Sequence, residues 1–258
     1  MEKLSNEELE EMKRSKIIVD SYYENLKNSN YEIPEKIQLL RLGYIIFQLQ
    51  KDKAKALHNV MKYSLQSSDD TAGHCLRVAE LSVNIFEEAL KFQIKNQFLM
   101  QQRKNNLYIA ALIHDIGKTH TNLIVFNPLQ LTQKERALLP RHCMAGYCIL
   151  KNSEFSDEIC NVAKEHHERY DGKGYPDQKI GKQISEFARC VAVCDVYDAL
   201  NSDRGYHKGK TSQEALNIME KNRGAFDFIF FNALKRVVKK KEEKLNRNLE
   251  IDSSNLLT

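Results

Sequence analysis

The chain has 258 residues, 42% of them hydrophobic and 29% charged, with a formal net charge of +4. That is too apolar for a disordered chain and enough to fill the core of one large folded unit. No run approaches the roughly 18 consecutive apolar residues of a membrane helix, since the best candidates, residues 44–49 and 228–231, are far too short. With only 10 glycines and 4 prolines, the chain lacks the punctuation of turn-rich sheet proteins and points to helices. The six cysteines form no CxxC pair and sit in apolar runs. They read as reduced core residues, which suits the cytoplasm, and no signal-peptide pattern opens the chain. The basic run 239–241 is followed by Glu242 and Glu243. A solvated helix end is therefore expected there, with no DNA or RNA partner.

In chain order, Ser5 and Glu8 are spaced for a capping box, and Pro34 suits the first turn of a second helix running towards Met61. Residues 1–64 thus form a helical N-terminal region, expected to brace the helices beyond it or to make a homodimer contact. From Thr71 onward helix succeeds helix, with polar breaks near Asn105 and across 119–127, 152–156 and 171–185. Thr132 and Glu135 are spaced for another capping box, and His142 comes after Pro140 at a helix start. Residues 65–240 make the main domain. The last segment, 241–258, reads as a polar tail that frays.

Histidines and aspartates fall on the apolar faces of these predicted helices. His74 leads Val78, Leu81 and Ile85, while Leu107, Ala111, His114 and Lys118 make a second row. Ile159, Val162 and His166 make a third, with His167 beside it, and Asp195 ends an apolar run beginning at Ala188. One such histidine is usually a hydrogen-bonded core residue. Several together, with Asp115 and Asp195 needing a cation in an apolar interior, indicate a metal site. Imidazole and carboxylate donors suit iron, manganese or zinc better than calcium or magnesium. More than four ligands imply at least two ions sharing a carboxylate.

These residues carry a resemblance. His114-Asp115-Ile116-Gly117-Lys118 resembles the HD motif of metal-dependent phosphohydrolases. The stretch from His166-His167-Glu168 through Asp171-Gly172-Lys173-Gly174-Tyr175-Pro176 resembles the signature of the HD-GYP subfamily, and residues 193–204 continue the match. The resemblance implies an all-α helical bundle with metals at its centre and a cyclic dinucleotide, usually cyclic di-GMP, as substrate. It implies His74, His114, Asp115, His142, His166, His167 and Asp195 as ligands of two or three divalent ions, commonly iron or manganese, with Asp115 bridging. Asp70 stands where the family places a glutamate associated with the third ion.

Further departures are the segment 119–123, one residue short of the family's Ile-Pro element, and His207 with Lys208 at a basic position three residues after Arg204. Lys118 is expected to contact phosphate, or else to pair with Asp198 or a ligand carboxylate. Arg204 offers a planar fork for phosphate or a guanine edge, or makes a surface ion pair. Tyr175, on a loop shaped by Gly172, Gly174 and Pro176, contacts the ligand, stabilises the loop or docks a signalling partner. Two other activities stay open: a different HD-type nucleotide hydrolase, and a cyclic-dinucleotide receptor without turnover.

Overall fold

The apolar spacing read from the sequence becomes a helical bundle in which each helix turns one stripe inward. The computed structural model describes residues 69–120, 139–152, 155–203 and 208–255. Among these, seven α-helices run as α1 (Asp69–Leu90), α2 (Gln97–Leu112), α3 (Leu139–Asn152), α4 (Asp157–Glu165), α5 (Glu186–Asn201), α6 (Ser212–Lys221) and α7 (Phe228–Asn255). No strand occurs among the described residues; an isolated bridge between Asp171 and Ile180 is the nearest approach. The all-α expectation is met.

Helix α1 packs against α2, α5 and α7, while α3 packs on α4 and on a short 3₁₀ turn, Ile116–His120. The centre of the bundle is aromatic. Phe86 of α1 meets Phe187 of α5 edge-on at 5.5 Å and stacks on Phe230 of α7 at 6.2 Å. The Arg103 guanidinium lies 5.1 Å from the Phe86 ring centre and 5.2 Å from that of Phe187. It also pairs with Glu158 at 3.1 Å and Glu186 at 2.7 Å, so one side chain of α2 ties α1, α4 and α5 together. A buried pair between Arg189 and Asp227 joins α5 to the start of α7.

Helix boundaries are set by the caps. Asn96 accepts from Leu99 N at 3.1 Å and starts α2, so the helix runs straight through Asn105, where a break was expected. Asn105 is accommodated on the helix surface by a side-chain hydrogen bond from Gln101 at 2.9 Å. Thr211 and Glu214 cap α6 reciprocally. Helix α7 continues to Asn255, through the segment read as a fraying tail. Part of the reason is Glu88 of α1, which pairs with Arg236 at 2.9 Å and Lys240 at 2.7 Å and fixes α7 beside it. Cys148 is exposed, against the expectation of a core residue; the other five cysteines are buried, and no disulfide forms among the described residues. The expected helices at Ser5 and Pro34 and the cap at Thr132 lie outside the described residues.

Because Phe86 is fully buried between two aromatic rings, Phe86→Ala is expected to destabilise the fold by about 3–5 kcal/mol. Thermal unfolding followed by far-ultraviolet circular dichroism measures it. A loss below about 1 kcal/mol would mean the aromatic stack is not the keystone of the bundle.

Candidate metal centre

The centre is assembled where helices end. Helix α2 stops at Leu112, and Ile113 leaves helical geometry at φ −109°, ψ 13°. Hydrogen bonds from Ile116 N to Ile113 O and from Lys118 N to Asp115 O then tighten the chain into the 3₁₀ turn. His114 and Asp115 are therefore turn residues, and the predicted single row from Leu107 to Lys118 is broken. Lys118 instead reaches back to Asp115 Oδ2 at 2.5 Å, which is the ligand-carboxylate alternative for that lysine.

Gly117 lets this turn press against α3: a Cβ there would fall 1.9 Å from the His142 carbonyl oxygen. His142 comes from the first turns of α3 and is buried. His166 caps the end of α4, with His167 next to it in the adjoining turn. His74 projects from α1 and Asp195 from the middle of α5.

The ring nitrogens are aimed by their other ends. His114 Nδ1 donates to Ala111 O at 2.6 Å, and His166 Nδ1 donates to Val162 O and Ala163 O at 3.1 Å each. A carbonyl can only accept, so both Nε2 atoms keep a bare lone pair facing inward. His74 Nδ1 meets Asp198 Oδ2 at 2.7 Å, while its Nε2 faces Asp195 Oδ1 at 3.0 Å.

Around Asp115, His142 Nε2 and His166 Nε2 each stand 3.6 Å from Oδ1, and His114 Nε2 stands 3.4 Å from Oδ2. His167 Nδ1 lies 3.8 Å from Asp195 Oδ2. Two donor sets result: Asp115, His142, His166 and His167 in one, and His74, His114 and Asp115 in the other, with all ligand atoms of a set within 4.8 Å of one another. Asp115 belongs to both.

These residues fit metal ions on their own geometry. Asp115 Oδ1 and His114 Nε2 are buried without a hydrogen-bond partner, a costly state that bound cations would relieve. Metal–nitrogen and metal–oxygen bonds of roughly 2.1 Å separate neighbouring ligand atoms by about 3.0–3.5 Å, close to the spacing of most of these contacts.

Charge is arranged to match. Burial lowers His114 to about 4 and His142 to about 3, and holds His167 well below its ordinary value, so these rings are neutral and ready to ligate. Burial would raise the Asp115 carboxyl, but Lys118 and His114 outweigh it and keep Asp115 well below the usual carboxylate range. Burial would likewise lower His74, but the hydrogen bonds to Asp195 and Asp198 bring it up to about 9.

A model of the HD domain matches residues 54–228. The chain belongs to the HD domain family. Relatives of this HD domain include a cyclic di-GMP phosphodiesterase of Pseudomonas aeruginosa, 42% identical over 132 residues, covering 50% of this chain and 32% of that protein. A 3'3'-cGAMP-specific phosphodiesterase of Vibrio cholerae is 33% identical over 172 residues, covering 66% of this chain and 38% of that protein. Among solved structures, an HDG"Y"P protein from Bdellovibrio bacteriovorus shares the fold, with a TM-score of 0.60, 17% identity, and coverage of 92% of this chain and 81% of that one. The chain spans about a third of the length of the curated relatives it matches.

In this HD domain the Gly-Tyr-Pro element is a braced loop beside the centre. Glu168, itself buried, accepts from Asp177 N at 2.6 Å and Lys179 N at 3.0 Å. Glu165 accepts from Ser185 N at 2.7 Å and from Lys179 Nζ at 2.5 Å. Gly174 lies so close to the preceding chain that a Cβ would sit 2.3 Å from Arg169 N. These ties set Tyr175 over His167, with ring centres 4.9 Å apart.

Of the other residues singled out in the sequence, Asp70 falls in the first turn of α1 with its side chain outside the described part. Lys208 is exposed, and Arg204 and His207 lie outside the described residues. Sequence reasoning gave Asp198 only as a partner for Lys118. It instead holds His74 and is itself held by Arg77 Nε at 2.7 Å and Ser202 Oγ at 3.0 Å. Its position one turn after Asp195 was the available signal. Glu165 and Glu168 were not recognised as loop anchors, and only contacts distant along the chain reveal that role.

Two outcomes are expected. Asp198→Asn weakens the grip on His74 and lowers metal affinity by roughly 10–100-fold. Competition against a chelator measures this, and parental affinity would remove Asp198 from its positioning role. The second concerns the metal-free protein. His114 and His142 have folded pKa values below the ordinary 6.5, so the unfolded chain takes up protons first and stability falls as pH drops from 6.5 towards 4. His74, raised to about 9, contributes stability that is complete below 6.5 and fades as pH rises through 9. The melting temperature should therefore peak near pH 6.5; a flat profile from about pH 5 to about pH 9 would contradict this.

Proposed function

We propose that this HD domain is a metal-dependent phosphodiesterase that opens a cyclic dinucleotide, cyclic di-GMP, to the linear dinucleotide. The observation that carries the reading is the Asp115 carboxylate shared by two imidazole-rich donor sets, with Oδ1 buried and unpartnered. The cyclic-dinucleotide phosphodiesterases among the relatives support the substrate class.

Asp115 would be shared by two ions, with His74 and His114 holding one and His142, His166 and His167 holding the other. Asp195 stands between His74 and His167 and closes the ring. The nitrogen and carboxylate donors suit iron, manganese or zinc, and the HD-GYP resemblance selects iron or manganese among them. Such an ion pair supplies an acidified water and a clamp for the attacking and leaving oxygens of an in-line displacement at phosphorus.

The side chains do the rest. Lys118 neutralises Asp115 from one side, and its side chain, 32% exposed, presents the ammonium to a non-bridging phosphate oxygen. Tyr175 covers His167 and limits water at that edge. Asp198 fixes the ring plane of His74. Arg204 supplies a second cation for phosphate or for a guanine edge.

Those Vibrio cholerae relatives that are named 3'3'-cGAMP-specific phosphodiesterases favour a second substrate, 3'3'-cGAMP, for the same chemistry. Incubation of protein loaded with manganese or ferrous iron with both dinucleotides, followed by chromatography, separates the two. Asp115→Ala is expected to leave helical circular dichroism unchanged and to reduce turnover by at least about 100-fold. Parental turnover in that variant would remove the shared carboxylate from the mechanism.

A further inference from the structure

A cavity of about 330 Å³ borders the turn that carries His166 and His167. Val196 of α5, Ile218 and Met219 of α6, and Phe226 give it apolar walls, and Asn222 stands at its lining as a polar group. Its volume lies at the lower end of the roughly 300–1,000 Å³ typical of small-molecule sites. That accommodates one heterocycle with part of its sugar and is too small for a whole dinucleotide.

Two observations tie this cavity to the metal centre, and a third bears on the ligand it suits. His167 lines it and also faces Asp195, with 3.8 Å between Nδ1 and Oδ2. Val196 is the next residue after Asp195 and is 37% exposed, an apolar side chain turned to solvent beside a buried charged cluster. The guanidinium in the lining, that of Arg169, is already held by Asp171 through bonds of 3.0 and 2.7 Å. The site is thus poorly equipped for a phosphate and well equipped for an uncharged ring. Apolar walls match the faces of a base, and the Asn222 amide, whose Nδ2 donates to Ile218 O at 3.4 Å, keeps its carbonyl oxygen and a second N–H for a base edge.

We propose that this cavity is a nucleobase subsite that seats one purine of the cyclic dinucleotide while its phosphodiester lies at the metal centre. The proposal rests on the phosphodiesterase reading. It assigns Val196, Ile218, Phe226 and Asn222 to substrate selection rather than to the chemical step.

The test uses the full chain loaded with manganese, and two variants: Ile218→Trp, which fills the cavity, and Asn222→Ala, which removes its amide from an exposed position. Both should raise KM for the cyclic dinucleotide about tenfold or more. Both should hydrolyse bis(p-nitrophenyl) phosphate, a diester without bases, within about twofold of the parent. GMP binding, measured by calorimetry, should weaken in parallel. Unchanged KM and unchanged GMP affinity in both variants would overturn the subsite. Equal losses on both diesters would also overturn it, since the cavity would then serve the metal centre alone. If the parent cleaves the base-free diester but no cyclic dinucleotide, the phosphodiesterase reading fails, and GMP binding alone then decides the cavity. Parent binding that both variants weaken upholds it, and equal binding sinks it.

Discussion

Everything at the centre of this molecule depends on one carboxylate placed where water cannot reach it. Asp115 is 1% exposed, and one of its oxygens meets no hydrogen-bond donor. Left alone, such a group costs several kcal/mol and would shift towards its neutral form. Lys118 compensates from one side, and the imidazoles of His114, His142 and His166 surround the other. Lys118 is the permanent cation at that point, and the neutral imidazoles leave lone pairs that a bound cation would use.

That constraint explains why helix ends, rather than helix faces, carry most of the donors. A side chain in mid-helix is committed to one stripe, whereas a residue just past a C-terminus can be re-aimed by the turn. The Ala111 and Ala163 carbonyls near the ends of α2 and α4 then find partners in the Nδ1 atoms of His114 and His166. The same bonds that satisfy the helix ends fix the tautomers that metal binding requires. Gly117 contributes by its lack of a side chain, allowing the turn to reach the start of α3.

A second layer stabilises the first. Asp198, gripped by Arg77 and Ser202, sets His74. Glu165 and Glu168 convert the loop after His167 into a rigid wall beside the centre. The cavity lined by His167, Val196 and Phe226 extends this wall towards α6. The donor cluster and the cavity thus sit on neighbouring elements that share His167.

The sequence by itself determined the helical class, the absence of membrane-length apolar runs, and most of the convergent residues, with His142 supplied only by the family resemblance. Those properties are local: apolar periodicity marks faces, and paired groups such as His114-Asp115 and His166-His167 stand out against them. Spacing could not say where helices stop. Asn105 was read as a break although Asn96 already caps α2, and Lys118 was placed on a helix that ends at Leu112. The resemblance already implied that Asp115 is shared, and the structure places it in two donor sets. Only the tertiary structure decided that Asp198 serves His74 rather than Lys118, and that α7 continues beside Glu88. Each of these joins residues far apart in the chain, and the energy of a buried charge depends on everything packed around it, which no single stretch of sequence contains.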